Sequence, residues 1–150
     1  MKIGFYPGCS LNGTSREYNE SVKAIGKAMG IEWVELKDWN CCGATAAHSM
    51  DRKLSLALPV RILALAEKQG FEEVVVPCAS CYNRLSMAHY ELENSEELKD
   101  DILTIVGLPY RGAIRVINVL QFIEKYILTV LPEKIITPFA HQVACYYGCL

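Results

Sequence analysis

Three groups of cysteines constrain the fold of this 150-residue chain more than any other feature. Cys9 stands alone near the start, Cys41 and Cys42 are adjacent, and Cys78 and Cys81 are separated by two residues. Thiolates in such groups can surround one inorganic centre, because soft sulfur ligands select iron–sulfur clusters, zinc or copper(I). The chain therefore needs a fold that brings three distant segments together.

Short apolar runs alternate with longer helical segments. The apolar runs predict strands over Lys2–Tyr6, Glu32–Leu36 and Glu73–Val76, and the last is typical of a buried parallel strand. This alternation predicts an α/β fold, a small parallel sheet with flanking helices. Each cysteine group follows one of these strands, so the predicted site lies at the carboxyl ends of the strands.

Helices are predicted between the strands, over about 15–29, 52–69 and 77–93. Asp51 can cap the second of these helices, and Pro59 lies inside it. Because proline removes a backbone donor and clashes with the preceding turn, Pro59 is expected to kink this helix or divide it.

The most apolar stretch, Ala113–Leu131, predicts one long amphipathic helix. Its polar residues recur at three- or four-residue steps, which leaves a wide apolar face. They are also too numerous for a membrane span. We interpret the stretch as a core helix that also serves a subunit interface, followed by a connector over 132–138 and a strand at about Gln142–Tyr146.

Charge and composition argue against several classes of function. The net charge of −2, without a basic block, gives no indication of nucleic-acid binding. The residues after Met1 enter a strand at once and lack a signal-peptide core. Seven cysteines without an export signal argue against a disulfide framework. We therefore expect reduced thiols and a cytoplasmic location.

The number of cysteines narrows the identity of the bound group. Two adjacent cysteines point in different directions, so they can bind two irons of one cluster more easily than one small ion. A structural zinc ion and a cubane iron–sulfur cluster each take four ligands, which leaves one of the five thiolates over. Five thiolates therefore indicate an unusual iron–sulfur cluster, with zinc and simple burial of small thiols as alternatives.

The start of the cysteine pattern recurs at the other end of the chain. Tyr6-Pro-Gly-Cys9 is echoed by Tyr146-Tyr-Gly-Cys149. We expect a first cysteine-rich domain over residues 1–140 and the beginning of a truncated second copy over 141–150. Cys149 would then be a ligand of the missing second site, whereas Cys145 is expected to pack in a strand.

The histidines are candidates for proton transfer. His48 follows the Cys41–Cys42 pair closely and could donate a proton to a nascent thiolate. The alternative is that His48 only ties its loop or caps the next helix. A surface role is expected for His89, and a structural or exposed one for His141.

Other polar residues flank the cysteines. Tyr82 and Asn83 follow the Cys-x-x-Cys pair and could donate hydrogen bonds to cluster sulfurs, although packing explains Tyr82 equally well. Trp39 and Asn40 are expected to fix the loop that precedes the adjacent cysteines.

The cysteine segments resemble one known family. Residues Tyr6–Thr14, Asp38–His48 with its Cys-Cys-Gly, and Pro77–Arg84 with its Cys-x-x-Cys are similar to the CCG segments of the catalytic, cysteine-rich subunit of heterodisulfide reductase. This resemblance covers essentially the whole chain. It extends more distantly to cysteine-rich subunits of glycolate, lactate and glycerol-3-phosphate oxidation systems and of some succinate and fumarate enzymes.

The resemblance implies a non-cubane [4Fe-4S] cluster bound by Cys9, Cys41, Cys42, Cys78 and Cys81. It also implies that the full protein reduces a mixed disulfide, of the coenzyme M–S–S–coenzyme B type in methane-forming metabolism, to two thiols. The implied partners are subunits that carry ordinary [4Fe-4S] clusters and flavin. Since two clusters flanking the disulfide would suit this reaction, one copy alone is expected to turn over poorly.

Two other functions remain open. The cluster could relay electrons to a flavin or quinone partner without touching a disulfide, or the site could be a structural zinc domain that mediates subunit contacts. A simple thiol–disulfide oxidoreductase is disfavoured, because Cys78 and Cys81 come with three other suitably spaced thiols.

Overall fold

The structure, a computed structural model, describes residues 1–144. Four strands form one parallel sheet in the order β2-β1-β3-β4, and helices cover both of its faces, which confirms the predicted α/β class. The elements are, in chain order, β1 (Lys2–Phe5), α1 (Gly8–Asn12), α2 (Arg16–Ala28), β2 (Glu32–Glu35), α3 (Ala47–Met50), α4 (Arg52–Lys68), β3 (Glu73–Val75), α5 (Ala79–Glu93), α6 (Glu96–Val106), β4 (Arg115–Ile117), α7 (Val119–Tyr126) and α8 (Leu131–Lys134).

The four strands end at the same level. Phe5, the last residue of β1, pairs with Glu35 at the end of β2 and with Val75 at the end of β3. Val75 in turn pairs with Ile117 at the end of β4. Because every pairing is parallel, the segments that follow the strands all begin at one edge of the sheet.

Side chains of the central strands alternate between two cores. Val74 packs with residues of α4, α5 and α6 on one face, whereas Phe5 and Val75 pack with residues of α2 and α7 on the other. Successive strand residues point to opposite faces. Val74 and Val75 therefore serve one core each, and β3 is buried throughout, as its sequence predicted.

The helix predicted over about 52–69 is present as α4, and it begins as expected. The carboxylate of Asp51 accepts a hydrogen bond from the Leu54 N–H at 2.7 Å. Pro59, however, does not divide the helix, since α4 continues through it. Burial of the neighbouring Val60 and Ile62 against the sheet outweighs the one backbone hydrogen bond that the proline removes.

The prediction of a single helix over Ala113–Leu131 is wrong. Its first part is strand β4, and only α7 and the start of α8 are helical. Asn118 separates β4 from α7. Its side chain accepts a hydrogen bond from the Gln121 N–H at 2.9 Å, and the Gln121 side chain accepts one from the Asn118 N–H at 3.0 Å. This capping box starts α7 and ends the strand.

The predicted connector over 132–138 contains part of α8 instead, and residues 142–144 are not in a strand. The rest of that predicted strand, with Cys145, lies outside the described residues, as does Cys149. Within residues 1–144, no helix is both long enough and apolar enough to cross a membrane.

Candidate metal centre

The segments that follow β1, β2 and β3 bring five thiols to the carboxyl edge of the sheet. The Sγ atoms of Cys42 and Cys81 are 3.3 Å apart, and those of Cys9 and Cys41 are 4.0 Å apart. Cys78 lies at the N-cap of α5, one turn before Cys81. The predicted convergence of distant cysteines at this edge is therefore present.

Each cysteine pair has a different environment. Cys42 and Cys81 are buried and belong to the core cluster on one face of the sheet. Cys9 and Cys41 are exposed. One side of the site is therefore buried in the protein, and the other side is exposed to solvent.

Two glycines allow close packing around the cysteine-bearing segments. Gly8 has φ +67°, and a Cβ at this position would lie 2.9 Å from the Sγ of Cys81. Gly43, directly after the adjacent cysteines, has φ +75°, and a Cβ there would clash with Leu58 and Ala47. Only glycine combines a left-handed conformation with such close packing.

The thiols perturb one another strongly. The Cys81 thiol interacts with the sulfur of Cys78 and lowers the pKa of Cys78 to about 5; N–H groups of Cys81 and Ser80 and the Ser10 side chain act in the same direction. The same Cys81 thiol lowers the pKa of Cys42 to about 7. Cys81, which faces both, has a strongly raised pKa. The contacts of Cys81 thus favour the thiolate form of its two neighbours and the protonated form of Cys81 itself.

Tyr6 is a site residue whose role the sequence did not reveal. It is fully buried, and its hydroxyl donates to the Asn40 carbonyl at 2.9 Å. Its ring contacts Trp39 edge-on at 5.4 Å. Burial, followed by the neighbouring Cys81 and Cys42 thiols, raises the pKa of Tyr6. Tyr6 therefore links β1 to the loop that carries the adjacent cysteines.

Arg61 fixes the same loop from α4. Its guanidinium donates to the Asp38 carbonyl at 2.7 Å, to the Asp38 carboxylate at 2.6 Å and to the Asn40 side chain at 2.9 Å. Trp39 donates to Glu35 at 3.0 Å. These contacts agree with the loop-fixing role predicted for Trp39 and Asn40, whereas nothing in the local sequence indicated Arg61, which comes from another element.

His48 lies on α3 with an exposed side chain, and its backbone N–H donates to the Gly43 carbonyl at 3.3 Å. It lines a cavity of about 360 Å³ rather than contacting a thiol. His89 is half-buried, with Nδ1 2.6 Å from the Tyr110 hydroxyl. The purely surface role predicted for His89 is therefore wrong, because α5 packs it against the loop before β4.

Tyr82 and Asn83 face a second cavity of about 410 Å³, which is lined mainly by apolar side chains. Neither side chain forms a hydrogen bond to a cysteine sulfur within the described part of the chain. His141 is exposed. The structure thus brings the five cysteines together and leaves the histidines outside their immediate contacts.

The donor set fits an iron–sulfur group better than one ion. Among residues 1–144, no three His, Cys, Asp or Glu side chains are grouped as ligands of a single metal ion. The thiols instead form two pairs, with Cys78 beside the buried one. Five soft donors spread in this way at one edge of the sheet suit a multinuclear cluster.

Comparison with known proteins agrees with this chemistry. Residues 3–86 match the family model described as "Cysteine-rich domain" and named CCG. This span contains all five converging cysteines. The CCG match and relatives described as iron–sulfur proteins support an iron–sulfur cofactor.

Two curated relatives match almost the whole chain. The 8-methylmenaquinol:fumarate reductase membrane anchor subunit of Wolinella succinogenes is 32% identical over 99% of this chain and 52% of its own length. A subunit of the ferredoxin/F420H2-dependent CoB-CoM heterodisulfide reductase of Methanosarcina acetivorans is 30% identical over 99% of this chain and 51% of its own length. The chain thus spans about half the length of these relatives.

The fold also occurs in a solved structure. The crystal structure of a hypothetical protein from Helicobacter pylori superposes with a TM-score of 0.71 over 85% of this chain and 26% of that chain. The two sequences are 16% identical, so the similarity concerns the fold alone.

Proposed function

Because the chain belongs to the CCG cysteine-rich domain family, we propose that Cys9, Cys41, Cys42, Cys78 and Cys81 hold a non-cubane [4Fe-4S] cluster that serves disulfide reduction. The chain has an oxidoreductase-related role with an iron–sulfur cofactor. The cluster type, the ligand set and the reaction are the proposal.

One observation carries the proposal: three separate segments bring five thiols to the carboxyl edge of the sheet, with Cys42 and Cys81 only 3.3 Å apart. Reduced thiols buried side by side stabilise a fold little more than apolar residues would. A bound group of several metals would use all of them, and the low pKa of Cys78, about 5, favours the thiolate that ligation needs.

The proposed reaction converts one disulfide, two electrons and two protons into two thiols. The cluster supplies electrons one at a time when it is bound, and subunits with [4Fe-4S] clusters and flavin are the proposed source of those electrons. His48 is the proposed proton donor, since its exposed imidazole lines the cavity beside α5. The relative named for a CoB-CoM heterodisulfide reductase supports a mixed-disulfide substrate.

A second candidate is an electron-transfer module without a disulfide substrate. The relative from Wolinella succinogenes, named for a menaquinol:fumarate reductase, favours it. Titration of a mixed disulfide against the reduced cluster distinguishes the two functions. A changed paramagnetic spectrum supports disulfide reduction, and an unchanged spectrum supports electron transfer alone.

The first test is the content of iron, zinc and acid-labile sulfide in protein purified without oxygen. About four irons with matching sulfide per chain support the cluster, whereas about one zinc without sulfide supports a structural site. Cys42→Ser is expected to lose most of the iron, and Cys145→Ser, outside the set, is the matched control. Equal iron in both variants would contradict the ligand assignment.

The domain boundaries also remain a proposal. We propose that residues 1–140 are one cysteine-rich domain and that 141–150 begin a second copy, with Cys149 as a ligand of its cluster. Disulfide turnover by this chain alone, at the rate of a protein with two copies, would contradict the need for the second site.

A further inference from the structure

Arg84 lies on α5, one turn beyond Cys81. It lines a cavity of about 180 Å³ together with Ala44, Ser80 and Asn83. Ser80 lies between the two cysteines of the Cys-x-x-Cys pair, and Ala44 follows the Cys-Cys-Gly segment. The guanidinium therefore borders a space whose walls are formed by two of the thiol-bearing segments.

The guanidinium has no partner within the described part of the chain. Among residues 1–144, Arg84 has no hydrogen-bond or ion-pair acceptor, whereas Arg52, Arg61 and Arg115 each pair with a carboxylate. Arg61 is a close comparison, because it is half-buried like Arg84 and also approaches the thiol-bearing loops. The nitrogens of Arg84 are not among the buried unpartnered side-chain atoms of the described residues, so the five donors of its guanidinium are accessible to a ligand.

The nearby carboxylates do not pair with Arg84. Arg84 also lines the 360 Å³ cavity with His48, Asp51 and Glu91. Glu91 pairs with Arg52 at 3.1 Å, and Asp51 caps α4 through the Leu54 N–H. Both acids already have partners from their surroundings, so Arg84 is the arginine of these two cavities that lacks an acceptor among the described residues.

We propose that Arg84 binds an anionic group of a small-molecule ligand, a carboxylate, sulfonate or phosphate, next to the thiol site. The planar guanidinium matches such groups through two parallel hydrogen bonds. The subsite rests on the proposed function for the reaction that it serves. The 180 Å³ cavity adjoins the thiol-bearing segments through Ala44 and Ser80.

The test measures binding without turnover. The probes are 3,3′-thiodipropionate, a dianionic thioether, and 2,2′-thiodiethanol, its neutral counterpart, since neither can be reduced or exchange with thiols. Calorimetric titration of the full chain is expected to show about tenfold or more tighter binding of the dianion, the effect of one charge-assisted pair. Arg84→Met is expected to abolish the preference, and Arg84→Lys to keep part of it.

Arg111→Met is the matched control. Arg111 is exposed, lines neither cavity and lies in the loop before β4, at the opposite edge of the sheet. It is expected to keep the wild-type preference. Equal affinities of the wild-type chain for both probes, or an unchanged preference in Arg84→Met, would overturn the subsite.

Iron and sulfide are measured in the same samples to separate the two proposals. A cluster-free chain that still prefers the dianion contradicts the proposed function but supports the subsite. A chain with a full cluster and no preference overturns the subsite alone.

Discussion

Buried polar side chains have different kinds of partner at the two ends of the sheet's strands. At the amino end of β3, the buried carboxylate of Glu73 accepts from Lys125 at 2.6 Å, from Tyr126 at 2.6 Å and from Arg115 at 3.0 Å. At the carboxyl end, the buried thiol of Cys81 has the sulfurs of Cys42 and Cys78 as its polar neighbours. One end is therefore satisfied from within the chain, and the other is arranged for a group that the chain does not supply.

This difference separates structural from functional polarity. A buried charge with several partners holds elements together, here α7 and β4 at the start of β3. Clustered thiols add little to folding by themselves. Substitutions at the amino end should therefore change stability, and substitutions at the carboxyl end should change metal binding.

The largest effect on metal binding is expected from Gly8→Ala. The new Cβ would lie 2.9 Å from the Cys81 sulfur in a left-handed conformation, so the variant should lose most of its iron. Gly30→Ala is the control, because Gly30 has the same φ of +67° with nothing within 4 Å of the added Cβ. Iron analysis of both variants checks this, and equal iron would show that the close approach is not needed.

At the amino end, Glu73→Gln should reduce stability by about 1–3 kcal/mol, since Lys125 and Arg115 lose a charged acceptor that is itself 8% exposed. Glu32→Gln removes an exposed ion pair with Lys2 and should cost less than about 1 kcal/mol. Urea unfolding measures both. Iron per folded chain should stay unchanged in each variant. Loss of iron in Glu73→Gln would show that the amino end of the strands also affects metal binding.

The pH dependence of the thiols sharpens the comparison. The pKa of Cys78 in the folded chain, about 5, lies below the usual thiol value of about 8.5. Its contribution to stability is therefore fully present above the unfolded value and is lost as the pH falls through about 5. Urea unfolding of the metal-free reduced chain between pH 9 and about pH 5 should show this loss, and Cys78→Ser should reduce it. If the unfolding free energy of Cys78→Ser changed with pH as steeply as that of the wild type, the loss could not be attributed to the Cys78 thiol.

A small effect is expected from Tyr6→Phe, which removes the hydroxyl that donates to the Asn40 carbonyl. The loss should be about 1 kcal/mol of stability, with iron retained and a shifted paramagnetic spectrum of the cluster. Tyr126→Phe removes a hydroxyl that donates to Glu73 at the other end. It should cost a similar amount of stability and leave the spectrum unchanged; a spectral shift in both variants would argue against a local role for Tyr6.

The sequence predicted much of the fold because local signals and tertiary packing agree in the first two thirds of the chain. Strands β1, β2 and β3 and helices α2, α4 and α5 lie where the apolar runs and caps indicated. The prediction was wrong over Ala113–Leu131, where an apolar stretch satisfied a helical pattern. Pairing of β4 with β3 and the Asn118 capping box decided that region.

The sequence alone predicted a thiolate centre at one edge of the sheet. Five cysteines and their positions after strands indicated it, since parallel strands bring their carboxyl ends together. The tertiary structure was needed to show which thiols lie close together and which distant residues support them. Tyr6 and Arg61 reach the loop of the adjacent cysteines, and Arg84 lacks an acceptor among residues 1–144, because packing of separate elements sets those contacts.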